Sequence, residues 1–218
     1  LIVDDDGDTI QSTVQWFQNG VLSTASTADT LTQTATQKGE TWMVEIIPSD
    51  SLHIGETASN SVTIQNTPPE IVSVQLTPTT PSRSDTLNCI LGSSNDADGD
   101  ALSFQFLWWV NGVPLAEVSE SLSVPNFGKG DSVYCSVTPD DNEDMGLPVS
   151  SNTVDIINAI PSLTDLSILP EGASSVDVIS CGYQFSDLDV DADGTTVEWM
   201  VNGTPAGIGE VLMATVIQ

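Results

Sequence analysis

A motif that recurs at long spacing constrains this chain more than any other feature of its sequence. The pattern Trp-x-x-Asn-Gly occupies residues 16–20, 108–112 and 199–203, so its copies lie 92 and 91 residues apart. A Lys-Gly-acid triplet at residues 38–40 recurs in the same register at 129–131. Several independent motifs in one register indicate a tandem repeat, and a repeat of this length sets the architecture of the whole chain.

The phase of the repeat predicts how the chain is divided. Residues 1–66 begin at an acidic loop and form a partial domain that lacks the N-terminal strands of the repeat. Residues 67–157 form a complete domain, and residues 158–218 form a partial domain that lacks the C-terminal strands. We therefore interpret the chain as part of a longer array, with a neighbouring chain that donates the missing strands as the alternative.

Alternating apolar residues in the middle repeat predict about seven short β-strands, and no window shows helical periodicity longer than about two turns. The Asn-Gly pair of each motif is typical of a two-residue type I′ hairpin turn. Strands of period 2 at this density predict an all-β, two-sheet sandwich. The positions predicted to face its core are Val72, Val74, Leu76, Leu87, Cys89, Leu91, Phe104, Phe106, Trp108, Val110, Leu122, Val124, Val133, Cys135, Val137, Val149, Val154 and Ile156.

The order of Cys89, Trp108 and Cys135 resembles that of the immunoglobulin fold, in which a disulfide joins the two sheets and a tryptophan packs on it. With an acidic run before each Trp-x-x-Asn-Gly hairpin, the chain is similar to the tandem immunoglobulin-like, PKD-like and cadherin-like repeats of large prokaryotic surface proteins. The resemblance implies immunoglobulin-like β-sandwich domains of about 91 residues and a disulfide between Cys89 and Cys135. Cys181 takes the place of Cys89 in the third repeat, and three buried free thiols are the alternative.

The charge of the chain excludes several classes of function. There are 31 acidic residues against three Lys and Arg, a net charge of -28. A nucleic-acid partner requires clustered basic residues, so none is expected. No apolar run approaches the roughly 18 to 20 residues of a membrane span, so we expect no direct membrane insertion in this segment. The single histidine, His53, leaves no Ser-His-Asp or Cys/His arrangement, so no enzyme is expected.

Acidic runs precede the Trp strands at residues 4–8, 96–100 and 191–195. In a sandwich of this type such a run, the acidic loop at 140–144 and the linker at 66–69 belong to the same end of the domain. Carboxylates that converge there without bases repel one another unless a hard cation supplies the opposite charge. We predict calcium, because its about 6 to 8 oxygen ligands suit alternating Asp residues followed by a glycine turn.

The resemblance to cadherins implies that a loop of one repeat, a linker Asn and the acidic loop of the next repeat share the ion. The predicted ligands are Asp4, Asp6, Asp8, Glu40, Asn66, Asp96, Asp98, Asp100, Asp131, Asp140, Asp141, Asn158, Asp187, Asp189, Asp191 and Asp193. Two alternatives stay open. The acids could simply be solvated turn residues, or a uniform acid excess could keep the protein soluble in salty water with no bound ion.

These features predict a non-catalytic structural or adhesive protein of the cell surface, such as a stalk, filament, sheath or adhesin, with calcium-stiffened junctions between its domains. Its expected partners are neighbouring copies of the same chain, other surface proteins or glycans. The alternative is a carbohydrate-binding or spacer module of a secreted enzyme. Trp42 and Trp109 would support that alternative if their rings were exposed in one planar platform.

Overall fold

The computed structural model describes residues 9–50 and 52–212, and β-strands account for nearly all of its regular structure. Contacts between residues divide the chain into two compact units. One contains Leu1–Val72, Gly92–Gln105 and Thr138–Val149, and the other contains Ser73–Leu91, Phe106–Val137 and Ser150–Gln218. No helix in the described residues is long and apolar enough to cross a membrane. The predicted domain boundaries after residues 66 and 157 stay a prediction.

The first repeat forms one four-stranded antiparallel sheet in the order β2-β1-β3-β4. Its strands are β1 (Gln11–Gln18), β2 (Val21–Ser23), β3 (Thr41–Ser49) and β4 (Ala58–Thr63), with a 3-10 turn at Gln33–Ala35. Asn19 and Gly20 connect β1 to β2 with φ angles of 51° and 81°. Positive φ at both central residues defines the predicted type I′ turn, whose twist matches that of the flanking strands.

The middle repeat contains ten strand segments, several of them only two residues long, where about seven strands were predicted. They are β5 (Glu70–Ile71), β6 (Val74–Thr77), β7 (Leu87–Leu91), β8 (Ser94–Asn95), β9 (Ser103–Val110), β10 (Val113–Pro114), β11 (Ser121–Leu122), β12 (Ser132–Asp140), β13 (Val149–Ser150) and β14 (Val154–Asp155). One sheet has the order β10-β9-β12-β13 with β14 also paired to β12, a second has the order β11-β7-β6, and β5 pairs with β8.

The predicted disulfide is present and joins these two larger sheets. Cys89 on β7 and Cys135 on β12 are bonded and have a Cα–Cα distance of 6.2 Å. Trp108 on β9 is 0% exposed, and its indole Nε1 donates a hydrogen bond of 2.8 Å to the carbonyl oxygen of Ser119. Buried apolar residues from both sheets complete the core; they include Leu76, Leu87, Leu122, Val133 and Val137. The repeat is therefore an immunoglobulin-like β-sandwich, as predicted.

Two of the predicted core positions are wrong. Val72 is 73% exposed, because β5 ends at Ile71 and β6 begins only at Val74, so strand alternation does not extend through Val72. Val124 is 43% exposed, because β11 ends at Leu122 and the chain leaves the sheet before it. In both cases the alternation was extended beyond the last residue of a two-residue strand.

The third repeat reproduces part of the middle one. Its strands are β15 (Ser162–Leu169), β16 (Ile179–Ser186), β17 (Glu198–Val201), β18 (Thr204–Ile208) and β19 (Val211–Leu212). The sheet order β15-β16-β19 repeats the order β6-β7-β11, and the hairpin β17-β18 repeats β9-β10. Cys181 lies on β16 at the position equivalent to Cys89. Its backbone N–H donates to the carbonyl oxygen of Glu210, as that of Cys89 does to the carbonyl oxygen of Glu120, both at 2.9 Å. The architecture is thus a tandem array of sandwich repeats.

Candidate functional site: the acidic junctions

The first junction consists of Lys38, the linker residue Asn66, the acidic loop 96–100 and the loop 140–144. Asp96 organises the acidic loop, because its Oδ1 accepts the backbone N–H groups of Asp98 at 2.9 Å and Asp100 at 3.0 Å. Asp98 then anchors the linker, since its Oδ2 accepts the N–H of Thr67 at 2.7 Å. Short Asp side chains form such turns readily, which explains the alternating sequence. The loop therefore holds the chain as it enters the middle repeat.

A lysine occupies the centre of this junction. The Lys38 Nζ donates hydrogen bonds to Asn66 Oδ1 at 3.1 Å, to Glu143 Oε1 at 2.8 Å and to Asp100 Oδ2. These bonds, chiefly the one to Asp100, raise the pKa of Lys38 above its ordinary value of 10.5. The ammonium is therefore charged at any physiological pH. The expectation that the carboxylates converge without a base is wrong, because Lys38 of the first repeat lies among them.

Asp141 closes the other side of the junction and is only 5% exposed. Its Oδ1 accepts the N–H groups of Glu143 at 2.8 Å and Asp144 at 2.7 Å, and its Oδ2 accepts Asn66 Nδ2 at 2.8 Å. The backbone bond from Asp144 is the main cause, and the bond from Asn66 the next, of a pKa lowered from 3.8 to about 2. The side-chain amide of Asn66 thus connects the two residues, because its oxygen accepts from Lys38 and its nitrogen donates to Asp141.

A glycine lets this acidic loop approach the linker. The Gly146 N–H donates to the carbonyl of Pro139 at 2.9 Å, and a Cβ on Gly146 would lie 1.9 Å from the carbonyl oxygen of Pro69. No larger residue fits there without moving the backbone.

The second junction repeats the first about 91 residues later. The Lys129 Nζ donates to Asn158 Oδ1 at 2.7 Å and to both carboxylate oxygens of Asp191, at 2.9 and 2.7 Å. Asp187 Oδ1 accepts the N–H groups of Asp189 at 2.7 Å and Asp191 at 3.2 Å, as Asp96 does in the first junction. The N–H of Ala159 donates to Asp189 Oδ2, as that of Thr67 does to Asp98.

These matching bonds fix the register of the acidic loops. Asp96, Asp98 and Asp100 correspond to Asp187, Asp189 and Asp191, a shift of 91 residues that agrees with the Trp spacing. The run DADGT at 191–195, whose letters resemble DADGD at 96–100, begins four residues after Asp187. Asp193 lies outside the network, and its Oδ1 accepts the N–H of Thr195 at 2.8 Å.

Two groups of carboxylates are close enough together to hold a cation. Asp96, Asp100 and Asp141 each offer an oxygen within 4.8 Å of the others, and so do Asp187, Asp189 and Asp191. In each group one oxygen, Asp96 Oδ2 or Asp189 Oδ1, is buried and makes no hydrogen bond. A buried carboxylate oxygen without a partner is costly, so hard oxygen ligands with spare coordinating capacity fit a calcium ion.

Five predicted carboxylate ligands are used differently. Glu40 and Asp131 close their own turns, because Glu40 Oε2 accepts the N–H of Gln37 at 2.9 Å and Asp131 Oδ2 accepts that of Gly128 at 2.7 Å. Asp140 Oδ1 accepts the N–H of Asn142 at 2.8 Å, and the contacts of Asp98 and Asp193 were described above. None of the five belongs to either carboxylate group within the described part of the chain. Asp4, Asp6 and Asp8 lie outside the described residues.

Trp42 and Trp109 do not supply the two exposed rings that were expected of a carbohydrate-binding platform. Trp42 is 2% exposed, and its Nε1 donates to Glu40 Oε2 at 2.8 Å. The ring of Trp109 stacks on Tyr134 with a centroid distance of 5.6 Å and an interplanar angle of 6°. One face of the Trp109 ring is therefore covered, and Trp42 belongs to the interior of its sheet.

Sequence reasoning missed both lysines, although their triplets were used to detect the repeat. The signal was their scarcity. In a chain with three basic residues, finding two at equivalent repeat positions indicates a structural requirement that random surface placement would not produce.

Comparisons with known proteins give a limited result. No protein-family model matches the chain, and no curated protein sequence matches it. Among solved structures it is similar to the FN1-FN3 domains of chicken CNTN1, with a TM-score of 0.33 and 12% sequence identity over 83% of this chain and 67% of that one.

Proposed function

We propose that this chain is a segment of an extracellular structural or adhesive repeat protein, such as a stalk, filament, sheath or adhesin, whose successive repeats are joined by cation-binding junctions. The observation that carries the proposal is the recurrence of one complex hydrogen-bond network at two places about 91 residues apart. A single binding site would not need two copies, whereas a device that fixes each repeat to the next does.

An extracellular location agrees with the chemistry of the chain. The chain contains a disulfide between Cys89 and Cys135. Disulfides persist in oxidising compartments and are rare in the cytosol. The net charge of -28 favours solubility and disfavours adhesion to anionic lipid or nucleic acid. The partners we propose are neighbouring copies of the chain, other surface proteins or glycans.

Calcium is the cation we propose for the junctions. Asp96, Asp100 and Asp141 would hold it in the first junction, and Asp187, Asp189 and Asp191 in the second. The ion would supply positive charge to the buried oxygens of Asp96 and Asp189, which have no hydrogen-bond donor. This would stabilise each junction because separation of the carboxylates would then break ion–oxygen contacts.

The test is a thermal melt of the 218-residue chain with millimolar calcium or with sodium chloride at equal ionic strength. We expect calcium alone to raise the melting temperature, and we expect the isosteric Asp96→Asn and Asp189→Asn variants each to reduce the increase. Each Asn keeps the acceptor that its turn or linker uses, so only ion binding is weakened. The matched control is Asp155→Asn, an exposed acid on β14 outside both groups. Identical melts in calcium and sodium would refute the calcium part of the proposal.

A non-catalytic role is part of this proposal. His53 is exposed and lies with its Nδ1 3.8 Å from Asp50 Oδ2 at the end of β3. The carbohydrate-binding alternative gains no support from Trp42 and Trp109, because the first is buried and the second is stacked on Tyr134.

A further inference from the structure

We propose that Lys38 and Lys129 are resident cations that clasp each repeat to the next in the absence of metal, and that calcium must displace them. The clasp itself stands on the lysine contacts alone. Its second half, the competition with calcium, rests on the proposed function.

The placement of the basic residues is the first argument. Lys38 contacts Asp100, Lys129 contacts Asp191, and the remaining base, Arg83, donates from Nη1 to the carbonyl of Leu188, in the acidic loop that begins at Asp187. All three Lys and Arg residues of the chain therefore reach an acidic loop of the following repeat. Bases spread at random over a surface with 31 acids would pair with many other carboxylates.

The rigidity of the lysine loop is the second argument. Gly39 and Gly130 adopt φ angles of 82° and 85°, which favour glycine, directly after each lysine. Their N–H groups donate to the carbonyl oxygens of Ile64 at 2.9 Å and Ile156 at 2.8 Å. Each of these isoleucines lies two residues before the linker Asn. These backbone bonds place each lysine beside the linker Asn without using any contact to the acidic loop.

The turn-closing acids explain why the lysine, and not the acid, reaches the junction. Glu40 and Asp131 each accept an N–H from three residues upstream and so stabilise the loop that presents the lysine. Their carboxylates are occupied within their own repeat. The triplet Lys-Gly-acid is therefore one unit: the acid shapes the turn, the glycine permits it, and the lysine extends to the next repeat.

The ammonium and a calcium ion would share Asp100 in the first junction and Asp191 in the second. Two cations on the same carboxylate repel each other at short range. Calcium binding through these residues therefore requires the lysine to move away, and removal of the lysine charge should strengthen it. The clasp and the ion are alternative ways of neutralising one set of carboxylates.

The experiment measures amide hydrogen exchange by NMR in EDTA, in Lys38→Met, Lys129→Met and the unmodified chain. We expect at least tenfold faster exchange of the Thr67 amide in Lys38→Met and of the Ala159 amide in Lys129→Met. Each variant should leave the other junction and the Cys89 amide in the sandwich core at the unmodified rate. Lys38→Arg, which keeps the charge, should retain more protection than Lys38→Met. Unchanged exchange of Thr67 and Ala159 would overturn the clasp, as would equal loss in the Arg and Met variants.

Calorimetric titration with calcium chloride tests the competition separately. We expect the Met variants to bind calcium several-fold more tightly than the unmodified chain. Equal or weaker binding would overturn the competition. A complete lack of binding in all chains would refute the proposed calcium function, while the exchange results in EDTA would still decide the clasp.

Discussion

The disulfide allows the sharpest quantitative prediction for the middle repeat. Replacement of both Cys89 and Cys135 by alanine opens a loop defined by a sequence separation of 46 residues. In the chain-entropy treatment a loop of this length stabilises the folded state by about 4 kcal/mol at 25 °C, since the unfolded chain regains the freedom that the bond removed. Both cysteines are buried, so loss of packing adds to the effect.

The assay must report on the middle repeat alone, because the repeats of an array need not unfold together. Hydrogen exchange followed by mass spectrometry in urea, read on peptides from β9 and β12, gives its free energy of unfolding. We expect the double variant to lose about 4 kcal/mol at these peptides. The control is Cys181→Ala, a free thiol at the equivalent place in the third repeat, which should leave them unchanged. A loss below about 1 kcal/mol would refute the reasoning that the bond acts by closing this loop.

Two further predictions concern the Trp hydrogen bond and acid sensitivity. Trp108→Phe removes the donor to Ser119 and should lower the free energy of unfolding of the middle repeat by about 1–3 kcal/mol in urea. The same change at the more exposed Trp16, whose Nε1 donates to Ala28, should lower the stability of the first repeat by less. Equal losses would contradict the role of burial. Because the pKa of Asp141 is lowered from 3.8 to about 2, its stabilising effect should be complete above about pH 4 and vanish as the pH falls towards 2. Melting temperatures in EDTA between pH 5 and 2 should therefore fall less for Asp141→Asn than for the unmodified chain, and parallel curves would contradict this assignment.

Sequence reasoning predicted the elements that depend on local chemistry. The Asn-Gly hairpins have positive φ at both turn residues in all three repeats, with φ values of 51°, 51° and 52° at Asn19, Asn111 and Asn202. The Cys89–Cys135 bond and the burial of Trp108 agree with what the resemblance to the immunoglobulin fold implies. The hairpin turns are set by two neighbouring residues, so one sequence is sufficient to find them.

The acidic junctions were harder to predict because their geometry depends on register. The string DADG occurs at 96–99 and again at 191–194, so the sequence alone indicates that these two runs are equivalent. The hydrogen bonds instead make Asp187 the equivalent of Asp96, and each of these residues precedes the Trp of its hairpin by 12 positions. Strand length and turn bonding determine which Asp meets the linker, and neither is visible in a short string.

The distribution of the three bases bears on whether the acid excess is merely a device for solubility. A chain that needed only a high net charge could place its few lysines anywhere, since each exposed pair contributes little to stability. Here every Lys and Arg contacts the acidic loop of the next repeat, in a surface otherwise dominated by acids. If the proposed clasp operates, like charges elsewhere disfavour wrong contacts between repeats, and the opposite charge at each junction selects the correct register. The acid excess and the scarce bases would then be two parts of one mechanism for joining repeats in order.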